Sequence, residues 1–208
     1  LLVVHVDHQL RPDSSGDATF VESFARRLGL SVVIARRDVL SAVRDQGLSL
    51  EDAARRLRYD AFLEEATRHC AQRLALAHTA DDQAETVLMR ILRGTGATGL
   101  GAMPLSRAWE GATIIRPFLG IWRQELLAYL KGHGLTFRQD PTNRDLRFLR
   151  NRVRAHLLPL LERDYNPNIK VLLVQLADLN QVEVAFLQEA AQRHWKRLVK
   201  SQDGLLAI

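Results

Sequence analysis

Residues 1–6, LLVVHV, form a short apolar run rich in β-branched side chains, with His5 its one polar position. Such runs mark strands covered on both faces, as in parallel sheets. Polar and apolar positions then alternate with helical spacing. Ala18, Val21, Ala25 and Leu28 share one face, Ser14 or Ser15 precedes them as a cap, and Gly29 closes the segment. Ser31–Ala35 predicts a second strand. Ser49, with Asp52 three residues on, predicts the start of a second helix whose stripe is Leu50, Ala54, Leu57 and Ala61. Arg73–Ala77 predicts a third strand, Ala80–Arg93 a helix, Thr113–Ile115 a fourth strand and Ile121–Leu130 a further helix.

Strand and helix thus alternate in units of about 30–45 residues, the pattern of βαβ crossovers. The expected fold class is α/β, a doubly wound, mostly parallel, Rossmann-like sheet over residues 1–145. From Leu146 onward the strand signal stops, and 146–208 reads as a helical appendage with a long amphipathic helix over Val171–Leu198. No apolar run approaches the roughly 18 residues of a membrane span, and the opening run is too short for a signal-peptide core. A cytoplasmic protein without a membrane partner is expected.

Net charge is +5, and all but four of the 29 lysines and arginines are arginine. A basic surface suits an anionic partner such as nucleic acid. Cys70 is the one cysteine. It can form no internal disulfide, it follows an apolar-periodic stretch, and a packing role is expected for it.

In doubly wound sheets ligands bind beyond the carboxyl ends of the strands. His5, Asp7 and His8 stand at or after the first strand. Arg36, Arg37 and Asp38 follow the second, and His78, Thr79, Asp81 and Asp82 the third. The segment His78–Thr86 enters a helix N-terminus, which favours phosphate. Its adjacent carboxylates could hold Mg²⁺, which takes one or two carboxylates plus phosphate oxygens. Thr79 with Asp82 also has capping-box spacing. Glu85 has no capping role, yet it can share a side of the first turns with Asp81 and Asp82. Arg93 leads into Gly94-Thr95-Gly96, a turn that can wrap a phosphate or simply close the helix. Arg58 borders a buried stripe and could reach inward to a phosphate. Arg147, Arg150, Arg152 and Arg154 surround Asn151, a density that favours an RNA backbone over a merely solvated face.

Taken in order, HVDHQLRP, SLEDAARRLRYDAFLEEA, ALAHTADDQAETVLMRILRGTGATGL, IIRPFLGIWRQELLAYL, DPTN and FLRNRVRAHLLP resemble the tRNA(Ile)-lysidine synthases of the PP-loop ATPases over most of residues 1–160. The resemblance implies an adenine nucleotide alpha hydrolase-like fold. It also implies adenylation of the wobble cytidine in the CAU anticodon of tRNA(Ile), followed by attack of free L-lysine with release of AMP and pyrophosphate. By the same resemblance Arg58, Asp82 and Glu85 match catalytic positions, with Asp82 a candidate Mg²⁺ ligand. His5, Asp7, His78, Asp81, Arg93, Gly94 and Thr95 match segments lining an ATP site, and Asn151, Arg152 and Arg154 a region near tRNA. The family's SGGxDS loop ordinarily lies one helix before the HVDH strand. This sequence starts at that strand, so upstream residues are expected outside it, as are C-terminal tRNA-binding domains. A homodimer is left open. A thiolating PP-loop enzyme and a non-catalytic tRNA-binding module are the alternatives, the first disfavoured by the single cysteine.

Overall fold

The computed structural model describes residues 1–198, 200–202 and 205–207. The chain forms two compact units, one of residues 1–75 and 107–115, the other of residues 76–106 and 116–208.

In the first unit β1 (Leu2–Asp7) and β2 (Ser31–Arg36) pair in parallel, Leu2 opposite Ser31 and Asp7 opposite Arg36. Helix α1 (Ser14–Arg27) makes the crossover and packs on both strands. Its N-cap is Asp13 rather than a serine, without a side-chain cap bond, and Leu28 of the expected stripe is exposed. Gly29 ends the helix at φ 68°, a conformation that glycine adopts without Cβ strain.

Next comes α2 (Val39–Gln46), a helix the sequence pattern did not reveal. Asp38 caps it, its carboxylate accepting from Ser41 N at 3.0 Å, and this backbone bond is the first cause holding the Asp38 pKa below its usual value. Helix α3 (Leu50–Arg68) starts as expected, with Ser49 Oγ accepting from Asp52 N at 3.1 Å. Val39 and Ala42 of α2 bury against Ala53 of α3, with Leu50, Ala54 and Leu57 around them.

The second sheet has the order β3-β5-β4, from β3 (Arg73–Ala75), β4 (Ser106–Trp109) and β5 (Ala112–Ile115). β3 and β5 are parallel, Arg73 opposite Thr113. Strand β3 is two residues shorter than expected, and β4 is an addition. Glu110 and Gly111 join β4 to β5 with φ 44° and 79°, the positive pair of a type I′ hairpin turn. Helix α3 packs against both β1 and β3. The α/β class and its parallel pairing are as the sequence implied, although the ladders form two sheets rather than one. Cys70 is exposed at φ 50°, in a turn rather than in the expected packing role.

In the second unit α4 (Ala80–Arg93) and the four-residue α5 (Ala97–Leu100) precede α6 (Arg123–Gly132), which begins two residues later than expected. Pro141–Arg144 is a 3₁₀ turn. Then come α7 (Leu149–Arg152), a π-helical stretch over Val153–Leu157, α8 (Leu158–Asp164) and the 30-residue α9 (Ile169–Leu198). Pro159 withholds the N–H that Ala155 O would accept in an α-helix, and the wider π turns lie just before it. The core joins Ala84, Val87 and Leu88 of α4 to Val153, Leu158, Leu173 and Ala177, so the helical segment covers the apolar face of α4. The final backbone segments pair antiparallel as β6 (Lys200–Gln202) and β7 (Leu205–Ala207). No helix among the described residues is long and apolar enough to cross a membrane.

Candidate functional site

The N-terminus of α4 carries the densest polar cluster of the second unit. Thr79 and Asp82 form the capping box: Asp82 Oδ2 accepts from Thr79 N at 2.9 Å and from Thr79 Oγ1 at 3.0 Å, and Asp82 N donates to Thr79 Oγ1 at 3.4 Å. The box fixes the Asp82 rotamer and turns Oδ1 away from the helix. Ala80 N donates to Ile121 O at 3.0 Å, tying this turn to the approach to α6.

Glu85 follows one turn on and is 1% exposed. A carboxylate so buried must be paired, and two arginines from 65 and 69 residues away supply the partners. Arg150 Nε donates to Glu85 Oε2 at 2.8 Å. Arg154 Nε donates to Oε1 at 2.6 Å and its Nη2 to Oε2 at 2.9 Å, the two-pronged geometry in which guanidinium binds carboxylate best. The same arginines reach Asp82 Oδ1, from Arg150 Nη2 at 3.1 Å and Arg154 Nη2 at 3.3 Å. The hydrogen bond to Glu85 is the first cause raising the Arg154 pKa above its usual value. Arg150 and Arg154 lie four residues apart across the change from α7 to the π turns, which keeps both on the side facing α4.

A carboxylate offers about four lone-pair sites. Asp82 has two taken by Thr79 and two by the arginines. In this arrangement the residues present do not fit a Mg²⁺ ion on Asp82, and no chemical step is routed through a metal there.

Asp81 points elsewhere. Its Oδ2 accepts from Arg123 N at 2.8 Å, and its Oδ1 lies 3.9 Å from Lys170 Nζ, which pairs with Glu162 at 3.1 Å. These groups surround a cleft of about 160 Å³ lined by Thr79, Asp81, Asp82, Glu85, Arg154 and Lys170 among others. That is below the roughly 300–1,000 Å³ of pockets for drug-sized ligands. It suits a small charged group, not a whole nucleotide.

The remaining sequence candidates are distributed. His78 immediately precedes the Thr79 cap. Arg93, Gly94 and Thr95 are exposed at the opposite end of α4, about 18 Å from Asp81 at 1.5 Å per residue. The structure does not bring them to the carboxylates. Gly94 has φ 76° and closes the helix.

Asn151 is buried, its Nδ2 donating to Thr142 O and Asp145 O at 2.9 Å each, so its amide clamps the loop before α7. Arg152 donates to Leu146 O and Arg147 O at 3.2 Å each and stays exposed. Of the three residues expected near RNA, Arg154 and Asn151 face inward, and Arg152 alone is exposed.

In the first unit, His5 lies within β1 and Asp7 ends it, Asp7 being 4% exposed with Oδ1 accepting from Gln9 N at 2.9 Å. Arg58 lies on α3, where burial by surrounding atoms, then the charge of Arg55, lowers its pKa.

Sequence reasoning missed Arg150 and Lys170. Arg150 was visible only as one of four clustered arginines, although its i,i+4 relation to Arg154 was a usable signal. Nothing local marked Lys170.

A family model described as a PP-loop domain matches residues 1–161. A tRNA(Ile)-lysidine synthase of Symbiobacterium thermophilum is 47% identical over 192 residues, covering 91% of this chain and 39% of that protein. One from Geobacter sulfurreducens is 45% identical over 212 residues, covering 99% and 44%, and one from Bacillus subtilis is 34% identical over 205 residues, covering 98% and 43%. The chain thus spans about two fifths of the length of these relatives. Among solved structures, a U34-tRNA thiolase from Methanococcus maripaludis with its iron–sulfur cluster superposes with a TM-score of 0.69 at 16% identity, covering 87% of this chain and 62% of that one, a likeness of fold.

Proposed function

The chain belongs to the PP-loop domain family, and on that premise we propose that it is the catalytic part of a cytoplasmic enzyme that uses ATP to ligate free lysine to the wobble cytidine of a CAU-anticodon tRNA(Ile). The relatives carrying the name tRNA(Ile)-lysidine synthase support the substrate class. The observation that carries the reading is the buried Glu85 beside Asp82, a pair of carboxylates built to hold cationic nitrogen at a small cleft.

The amine of lysine is a cation of the same kind as the guanidiniums now paired there. It must lose a proton before it attacks, and Glu85 is assigned to hold the ammonium or accept that proton once the substrate displaces a guanidinium from it. Activation places AMP on the 2-carbonyl oxygen of the cytidine and releases pyrophosphate. Attack of the neutral amine on C2 then expels AMP. Charge that builds at the phosphoryl group is met by arginine, with Arg58 assigned this part. His5 and Asp7, at the carboxyl end of β1, are assigned to the nucleotide. Mg²⁺ is proposed to arrive with the ATP phosphates. Arg152 is the exposed member of the tRNA-facing group.

The test is incorporation of labelled lysine by the natural full-length protein into an unmodified CAU-anticodon tRNA(Ile), with ATP and Mg²⁺, and with methionine tRNA as the control. Incorporation into the isoleucine tRNA alone, abolished in Asp82→Asn, supports the reading. ATP-dependent sulfur transfer without lysine would replace it with a thiolating enzyme, and tRNA binding with no ATP turnover would replace it with a binding module.

A further inference from the structure

The positive charge of the chain is concentrated in one stretch. Residues 123–154 hold eight lysines and arginines against three carboxylates, and their net +5 equals the net charge of the whole chain. Arg150 and Arg154 within it are taken up by Glu85 and Asp82. Lys131 and Arg144 are exposed and make no ion pair among the described residues. Unpaired cations gathered on one segment suit a polyanion.

The same stretch carries a pair of stacked rings. Helix α6 buries none of its residues, and Tyr129, in its last turn, is 58% exposed. The His133 ring, one turn on and also exposed, lies against it with centroids 4.1 Å apart and 29° between the planes. The imidazole is not free to swing. Its Nδ1–H donates to Tyr129 O at 2.9 Å, and its backbone N–H donates to the same carbonyl at 3.1 Å. Two bonds to one carbonyl fix the ring, so the stack is set before any ligand arrives, which spares the cost of ordering it on binding.

A preset, exposed π surface on a segment with unpaired cations matches an unpaired RNA base and its flanking phosphates. Bases within a duplex stack on one another and offer no such face, so the partner is a single-stranded segment. Asp81, which lines the cleft, accepts from Arg123 N at the start of α6. At 1.5 Å per residue, His133 lies about 15 Å further along. A base stacked there is a neighbour of the nucleotide that reacts, not that nucleotide itself. We infer that the Tyr129–His133 pair is a stacking platform for an unpaired base of an RNA loop, with Lys131 and Arg144 meeting its phosphates. The inference rests on the proposed reaction for its RNA substrate and adds a contact to that RNA outside the cleft.

The experiment measures equilibrium binding to the natural full-length protein of a tRNA(Ile) anticodon stem-loop, carrying a fluorescent adenine analogue at each loop position in turn, and of a blunt RNA duplex. Wild type is compared with His133→Ala, His133→Phe and Lys131→Ala, and thermal midpoints are recorded alongside. Stacking predicts quenching of the analogue at one loop position. It also predicts about tenfold weaker stem-loop binding in His133→Ala, with duplex binding within about twofold. His133→Phe, which keeps a π face, should restore both affinity and quenching. Lys131→Ala should reduce the salt dependence of binding. Unchanged stem-loop binding in His133→Ala would overturn the inference, as would an equal loss for stem-loop and duplex, or a fall in midpoint that accounts for the whole loss. Release of the stem-loop by polyglutamate as readily as by single-stranded RNA would overturn it in favour of an acidic protein partner. Binding needs no lysine chemistry, so a wild-type protein that quenches the loop yet transfers no lysine would sink the proposed function and leave the platform standing.

Discussion

Arg154 grips Glu85 at two points, Nε to Oε1 at 2.6 Å and Nη2 to Oε2 at 2.9 Å, from 69 residues further along the chain. This contact ties the π-helical stretch to the first turns of α4. Breaking a buried pair by removing one partner leaves an uncompensated charge and costs about 3–5 kcal/mol. Arg150 still holds Glu85 Oε2, so Arg154→Ala should cost about 2–3 kcal/mol. Arg154→Lys should recover part of that, and Glu85→Gln, which leaves two guanidiniums with only Asp82 Oδ1 between them, should cost at least as much as Arg154→Ala. Urea unfolding of the three variants checks the order, and equal midpoints would refute the pairing.

Gly99 is required by what lies beside it. A Cβ there would sit 1.7 Å from Thr95 Oγ1 and 2.9 Å from Thr95 Cβ. The carbonyl of Gly99 also accepts from the Arg90 guanidinium, whose pKa burial lowers. Gly99→Ala should lower stability by about 1–3 kcal/mol. Adding Thr95→Ala, which removes the nearest atom, should restore part of it in thermal unfolding, and strict additivity of the two changes would refute the clash.

Asn151 separates structure from recognition. Replacing it with alanine frees the carbonyls of Thr142 and Asp145, at a cost of about 1–3 kcal/mol. Proteolysis within residues 140–147 should accelerate, while tRNA affinity of the folded fraction stays near wild type. Arg152→Ala should weaken tRNA binding and reduce its salt dependence, and it should speed proteolysis less than Asn151→Ala because its bonds reach only the Leu146 and Arg147 end of the loop.

His8 gives the protein a pH dependence with a definite sign. Its folded-state pKa lies below 6.5, so below pH 6.5 the unfolded chain binds more protons than the folded one. Stability should therefore fall as pH drops below 6.5 and level off only under the folded value. Above pH 6.5 this contribution is fully present. Chemical denaturation between pH 5 and 8 should show the slope in wild type and a shallower one in His8→Gln, and identical slopes would exclude His8 as its source.

Local chemistry was legible in the sequence where the cause was local. Thr79 with Asp82 and Ser49 with the Asp52 amide are caps recognisable from three-residue spacing, and Gly29 stops α1 because φ 68° suits glycine. Glu85 stood out because no cap explained it, and it is buried. Helix α2 was obscured because Val39–Gln46 is only two turns long and follows a strand exit already crowded with polar residues. Strand β4 carries no strong alternation, and Glu110-Gly111 is not the usual Asn-Gly or Asp-Gly signal. The pairing of α4 with Arg150 and Arg154 spans more than 60 residues, beyond the reach of any periodicity.

Helix α9 has a mechanical consequence. At 1.5 Å per residue its 30 residues form a rod about 45 Å long. Leu173, Ala177, Asn180 and Gln181 seat its first half against α4 and α5, and beyond them Val182, Phe186, Leu187 and Trp195 are exposed. Lys170, at the seated end, stands beside Asp81 and Glu162. A rod fixed at one end is a lever. Its far half projects beyond the seat as an apolar arm running from Val182 to Trp195.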